Sequence, residues 1–175
     1  MAISLYDVTV GTYQQILGAV EGVMAKGLDY CREKGIDPEE IVETRLCGDM
    51  LPFRFQIVSV THHSRGAIEG AKAGVFQPPP DLGPLNYAEL QKLVADARAD
   101  IGKLTPAEVN ALEGKDMLFQ MRSFQVPFTA ENFLLSFSMP NFYFHSTTAY
   151  DILRWKGAPI GKRDFMGQMR AKAAA

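Results

Sequence analysis

The sequence predicts an all-α fold, an antiparallel up-and-down four-helix bundle with a small β-hairpin inserted before the last helix. Three observations predict it. Apolar residues recur at spacings of three and four through several long stretches, the pattern of helices with one face turned to a core. The segment from Asn132 to Tyr150 carries no formal charge, yet Asn132, Ser136, Ser138, Asn141, His145, Ser146, Thr147 and Thr148 are too many polar groups to face lipid. Such a helix belongs inside a bundle, where its polar groups need partners. Only one stretch changes to a period of two, and it is short.

In chain order, Val10, Tyr13, Leu17, Val20, Met24 and Leu28 mark a first helix from Val8 to about Lys34, ended by Gly35. Pro38 with Glu39 and Glu40 suits a first helical turn, so a short helix is expected from Pro38 to Arg45. A second long helix should run from Pro52 to Ala73, with Phe53, Gln56, Ile57, Val60, His63, Ala67 and Gly70 along its inner seam. His62 lies about 100° away from His63 on that helix. Pro78, Pro79, Pro80 and Pro84 then forbid helix, and Phe76 to Pro84 reads as a stiff extended connector.

Asn86 and Glu89 form a capping pair for a third helix with Tyr87, Leu90, Val94, Ala97, Ile101 and Leu104 inward. Thr105-Pro106-Ala107-Glu108 starts a short helix to about Leu112. From Met117 to Phe128 the alternation predicts a hairpin turning near Arg122 and Ser123. Thr129 should cap the last helix, to about Lys156, with Leu134, Phe137, Asn141, His145, Thr148, Ile152 and Trp155 inward. Pro140 must kink or split it, because an interior proline costs on the order of 3 kcal/mol.

Composition narrows the function classes. With 175 residues, 47% hydrophobic and 22% charged, the whole chain, 1–175, fits a single domain. A formal net charge of −2 with mixed signs leaves no field for nucleic acid or an anionic membrane. The exception is the basic end from Arg154 to Lys172, which reads as a solvated or docked terminus. Cys31 and Cys47 have no metal or redox spacing, and Met1 to Thr9 lacks the pattern of a secretory signal, so a cytoplasmic setting is expected.

The histidines are His62, His63 and His145. His63 and His145 fall on inward seams where facing helices could bring them together, and bundle cores recurrently hold metal ligands. Two imidazoles are too few for a transition metal, so a third donor would come from Asn141, His62 or a carboxylate. Against that stands a core in which hydroxyls and carbonyls satisfy both rings. His62, on another face, reads as a solvated or subunit-contact residue. No Gly-x-Ser-x-Gly and no phosphate loop is present, and the glycines at 11, 18, 22 and 27 lie within the first helix, where they permit close packing. Phe133, Phe137, Phe142, Tyr143 and Phe144 cover more than one helix face, so the hairpin and tail or a second copy of the chain must bury the remainder.

Five motifs carry a resemblance: Ser4-Leu5-Tyr6-Asp7, Lys34-Gly35-Ile36-Asp37-Pro38, Asp49-Met50-Leu51-Pro52-Phe53, the run from Pro140 to Arg154, and Gly161-Lys162-Arg163-Asp164-Phe165. Together they resemble the domain-of-unknown-function family nineteen-ninety-three, placed in the DinB/YfiT-like four-helix superfamily. The resemblance implies a bundle with a metal site of one histidine on the second helix and a His-x-x-x-His pair on the last. Anchored on Leu153-Arg154 and Gly157, His145 matches the second member of that pair, Asn141 stands in place of the first, and His63 matches the helix-two ligand.

The expectation is therefore a cytoplasmic homodimer of unknown biochemical role. Its central polar pocket would be lined by His63, Asn141 and His145 with Tyr13, Gln56 and Thr148 nearby, holding a small-molecule ligand or serving structure. The alternative is a hydrolase or thiol transferase dependent on a divalent metal, zinc or nickel, with His63 and His145 as ligands and Asn141 completing an imperfect triad. No catalytic residue is assigned.

Overall fold

The structure, a computed structural model, describes residues 3–172. It is mostly helical, with one small three-stranded sheet. Helix α1 (Leu5–Lys34) begins a turn earlier than the apolar period indicates. Ser4 Oγ accepts from the Asp7 amide and the Asp7 carboxylate accepts from the Ser4 amide, a reciprocal cap that satisfies two otherwise orphaned donors. Gly35, at φ 65°, ends the helix in the left-handed conformation. Helix α2 (Pro38–Val42), capped by Asp37, stops short of the expected Arg45.

The second long helix is continuous but not uniform. Helix α3 (Phe53–Thr61) passes through a wide π-helical turn, His62–Gly66, into α4 (Ala67–Ala73). A π turn disturbs the regular ladder of carbonyl partners. Ser64 Oγ answers this locally by donating to Val60 O at 2.8 Å and Thr61 O at 3.2 Å.

Strand β1 (Val75–Phe76) follows and was not legible in the sequence, being too short to show a period. It pairs in parallel with β2 (Asp116–Met121), and β2 pairs antiparallel with β3 (Phe124–Thr129), so β2 is central. The hairpin turns at Arg122, whose φ is 54°. Between β1 and β2 lie α5 (Tyr87–Gly102) and α6 (Pro106–Asn110), each started by the expected capping box.

The last long helix is also broken by a π segment. Helix α7 (Ala130–Asn132) leads into π-helical Phe133–Ser138 and then α8 (Met139–Trp155). Pro140 has no N–H and its ring crowds the preceding turn, so the wider turn ahead of it absorbs the conflict. Thr129 stands at the N-cap position without capping the backbone; its hydroxyl donates to Glu131 at 2.6 Å.

One extra residue in a turn rotates everything after it. The buried stripe of α8 accordingly falls on Ser138, Phe142, Ser146, Ala149 and Leu153 together with Thr148 and Ile152. Asn141 and His145 are only half-buried, and Trp155, expected inward, is 64% exposed.

Helices α1 and α3 each pack against both α5 and α8, so the core lies among four long helical segments. Tyr87 ties α5 to α1 by donating to Met24 O at 2.8 Å, and stacks on Phe53 of α3. The sheet closes one end with the aromatic cluster Phe76, Phe119, Phe128, Phe133 and Phe137. Helix α9 (Lys162–Met166) docks the basic tail on α1 through Lys26–Asp164 at 2.6 Å and Arg170 on Asp7 O at 3.2 Å. Of the thiols, Cys31 is buried and Cys47 exposed.

Candidate functional site

His63 and His145 do meet. Their ring centroids are 5.9 Å apart with 15° between planes, His63 on the π turn of the second helix and His145 in the middle of α8. The hydrogen-bond network settles both tautomers. Ser138 Oγ spends its proton on His63 O at 2.9 Å, so it is the acceptor for His63 Nδ1–H at 3.3 Å, a long bond. Gln56 is buried and donates through its amide nitrogen to Leu51 O at 2.8 Å, which turns Oε1 to His145 Nδ1–H at 2.8 Å. Both rings therefore carry the proton on Nδ1 and a lone pair on Nε2.

Neither Nε2 has a side-chain or backbone partner among the described residues, and neither is sealed from solvent. Tyr13 Oη alone, among those residues, is a fully buried side-chain polar atom without a hydrogen bond. It packs edge-on against Phe142 and lies close enough to Ser138 to feel it, without a bond of good geometry. Burial raises the Tyr13 pKa, so the phenol stays protonated.

Desolvation sets the imidazole charges. Burial pushes His63 down to about 3, with the neighbouring His62 and His145 adding to the effect, and pushes His145 down to about 4. Both are neutral near pH 7. Phe76 and Phe137 flank His63, while Phe55 and Phe144 flank His145, so the pair sits among aromatic rings with no carboxylate of the described residues paired with it.

The other expected pocket residues turn elsewhere. Asn141 gives its amide nitrogen to Phe137 O of its own helix at 2.7 Å, and Thr148 gives its hydroxyl to Phe144 O at 2.8 Å. Ser146 does the same to Phe142 O at 2.7 Å. Much of the polarity of the uncharged segment is thus spent on the helix that carries it, a back-bonding that needs no ligand. Ser138 is the residue the sequence reading missed as a partner of His63; its only signal was a hydroxyl one turn before Phe142.

The metal site that the sequence resemblance implies would need three donors here. The donors on offer are two neutral Nε2 atoms, one from His63 and one from His145. Among the described residues no group of three or more His, Cys, Asp or Glu side chains is placed to hold an ion. Catalytic zinc sites use three protein ligands, and a carboxamide turned to its own helix does not supply the third. The donor set does not fit a tightly held catalytic ion.

Comparison with known proteins places the chain. Residues 5–166 match a family described as a domain of unknown function, DUF1993. The chain belongs to the DUF1993 family. Among solved structures, a crystal structure of a DinB family member protein from Shewanella denitrificans is similar at a TM-score of 0.77. Identity is 23%, with 97% of this chain and 96% of that chain covered, which carries the fold over and nothing more. No curated protein sequence matches this DUF1993 chain. No described helix is long and apolar enough to cross a membrane.

Proposed function

We propose that this DUF1993 protein is an antiparallel four-helix bundle of the DinB kind whose imidazole pair, His63 and His145, receives a small ligand in place of a catalytic metal. The observation that carries this reading is the fixed tautomer of both rings: Ser138 and Gln56 occupy the Nδ1 positions and leave two neutral Nε2 acceptors. Such a pair accepts hydrogen bonds without adding charge. Tyr13 reaches the pair only through Ser138, while Asn141 and Thr148 help hold α8 itself.

A second reading keeps the metal. An imidazole whose Nδ1–H is anchored presents Nε2 in the form that metal ligands take, so His63 and His145 would supply two ligands to a loosely held zinc or nickel ion, and a divalent-metal-dependent hydrolase or thiol transferase would need its remaining ligands from outside these donors. The two readings separate on metal content. Protein purified without chelator or nickel affinity resin is expected to contain well under stoichiometric metal. Zinc, nickel or manganese should leave its melting temperature unchanged. Near-stoichiometric metal, lost in both His63→Ala and His145→Ala, would overturn the ligand reading.

The working unit in this proposal is a cytoplasmic homodimer. Tyr143 and Phe144, 40% and 56% exposed on the uncharged stretch of α8, support a second copy as the covering surface.

A further inference from the structure

The π turn of the second helix sends its two adjacent histidines to different places. His63 goes inward to His145. His62, its ring 5.7 Å from that of His63, turns outward to the proline connector, where its Nε2–H donates to Gln77 O at 2.7 Å and its ring stacks at 4.3 Å on Phe76, which also flanks His63. That bond leaves His62 Nδ1 as a lone pair, lying over Gly66, where an added Cβ would come within 2.9 Å of it. His62, Arg65, Gly66 and Gly70 line a cavity of about 440 Å³ whose other walls include Val58, Pro79, Pro80, Leu82 and Leu93. A second cavity, about 260 Å³, shares Val58, Pro79, Pro80 and Leu82 and continues it past Phe55.

We propose that this cavity beneath the proline connector is a binding site for a small, uncharged, largely apolar molecule with one hydrogen-bond donor, which His62 Nδ1 receives. Four features select that chemistry. Cavities of roughly 300 to 1,000 Å³ with apolar walls and few polar groups are the size and kind that hold small molecules. The exposed side chains of Val75 and Leu82, at 38% and 45%, are apolar surface that such a molecule would cover. Prolines fix the outer wall, so the site exists before binding. The charges at the rim of the larger cavity balance: Arg65 lies 3.2 Å from Asp100 and 4.0 Å from Glu69, and Lys103 lies 2.8 Å from Asp100, two charges of each sign.

This site adjoins the imidazole pair across Phe76 but does not depend on the reading given for it. Indole and N-methylindole are the probes, alike in shape and differing in the donor. In an NMR titration of the intact protein, indole should bind saturably and shift the His62 imidazole nitrogens most, with smaller shifts at His63 across the shared Phe76 and none at His145. N-methylindole should bind about five- to tenfold more weakly, the worth of one hydrogen bond. His62→Phe, which keeps the stack on Phe76, should bring the two probes to equal affinity. No saturable indole binding, equal affinities in the wild type, a preference that survives in His62→Phe, or shifts confined to His63 and His145 would each overturn the proposal. Should His62→Phe lose its helical spectrum, the imidazole shifts of the wild type decide alone.

Discussion

His63 and His145 owe their neutral state to burial among aromatic rings, and that makes their stability contribution depend on pH. Folded pKa values of about 3 and about 4 lie below the ordinary 6.5, so the unfolded chain binds protons first as pH falls. The contribution is full above pH 6.5 and is lost progressively as pH drops through 6 and 5 toward the folded values. Each ring can account for at most about 1.4 kcal/mol per pH unit within that window. Asp7, Asp100, Glu108, Glu131 and Asp164 have pKa values lowered chiefly by their hydrogen bonds and titrate below that window. Melting temperature should fall between pH 7 and pH 5, and the fall should flatten in the double variant His63→Gln, His145→Gln. A melting temperature constant over that range would show that the rings protonate freely in the folded chain.

At the scale of elements, close approach of helices is the feature most exposed to single changes. Gly27 of α1 faces both α5 and α8: a Cβ there would come within 2.8 Å of Leu153 and 2.9 Å of the Tyr87 hydroxyl. Gly27→Ala should therefore destabilise the fold by about 1 to 3 kcal/mol, the usual cost of overpacking, although alanine is the better helix former. Chemical denaturation measures it, and an unchanged midpoint would mean the core yields easily. The glycines of α1 do not share one role. Gly18 and Gly11 seat the guanidinium groups of Arg98 and Arg170, and a Cβ at Gly22 would meet nothing within 4 Å. Caps, prolines and apolar spacing made most elements legible, including α5, α6 and the hairpin. The two π turns left no comparable mark, because a wide turn differs from an α turn by one residue and shows only in which side chains it rotates inward. The displaced stripe of α8, with Trp155 outside it, is the consequence.

For the whole molecule, the outward face of α8 is expected to be covered by a second copy. Sedimentation at micromolar concentration should give about twice the 19.4 kDa chain mass, and Phe144→Glu should return it to the monomer. A monomeric wild type would remove the dimer. What the sequence by itself determined was the helical class, the approximate bounds of α1, α5, α6 and the hairpin, and the placing of His63 and His145 on inward seams. These follow from local periodicity and capping chemistry, which act within a few residues. Only the tertiary structure decided which nitrogen of each imidazole is free, because that depends on Ser138 and Gln56 reaching across from other helices. It also decided that Asn141 and Thr148 bond back to their own helix and that His62 faces a cavity under the proline connector. Hydrogen-bond partners and cavities are set by contacts between distant segments, and no spacing along the chain encodes them.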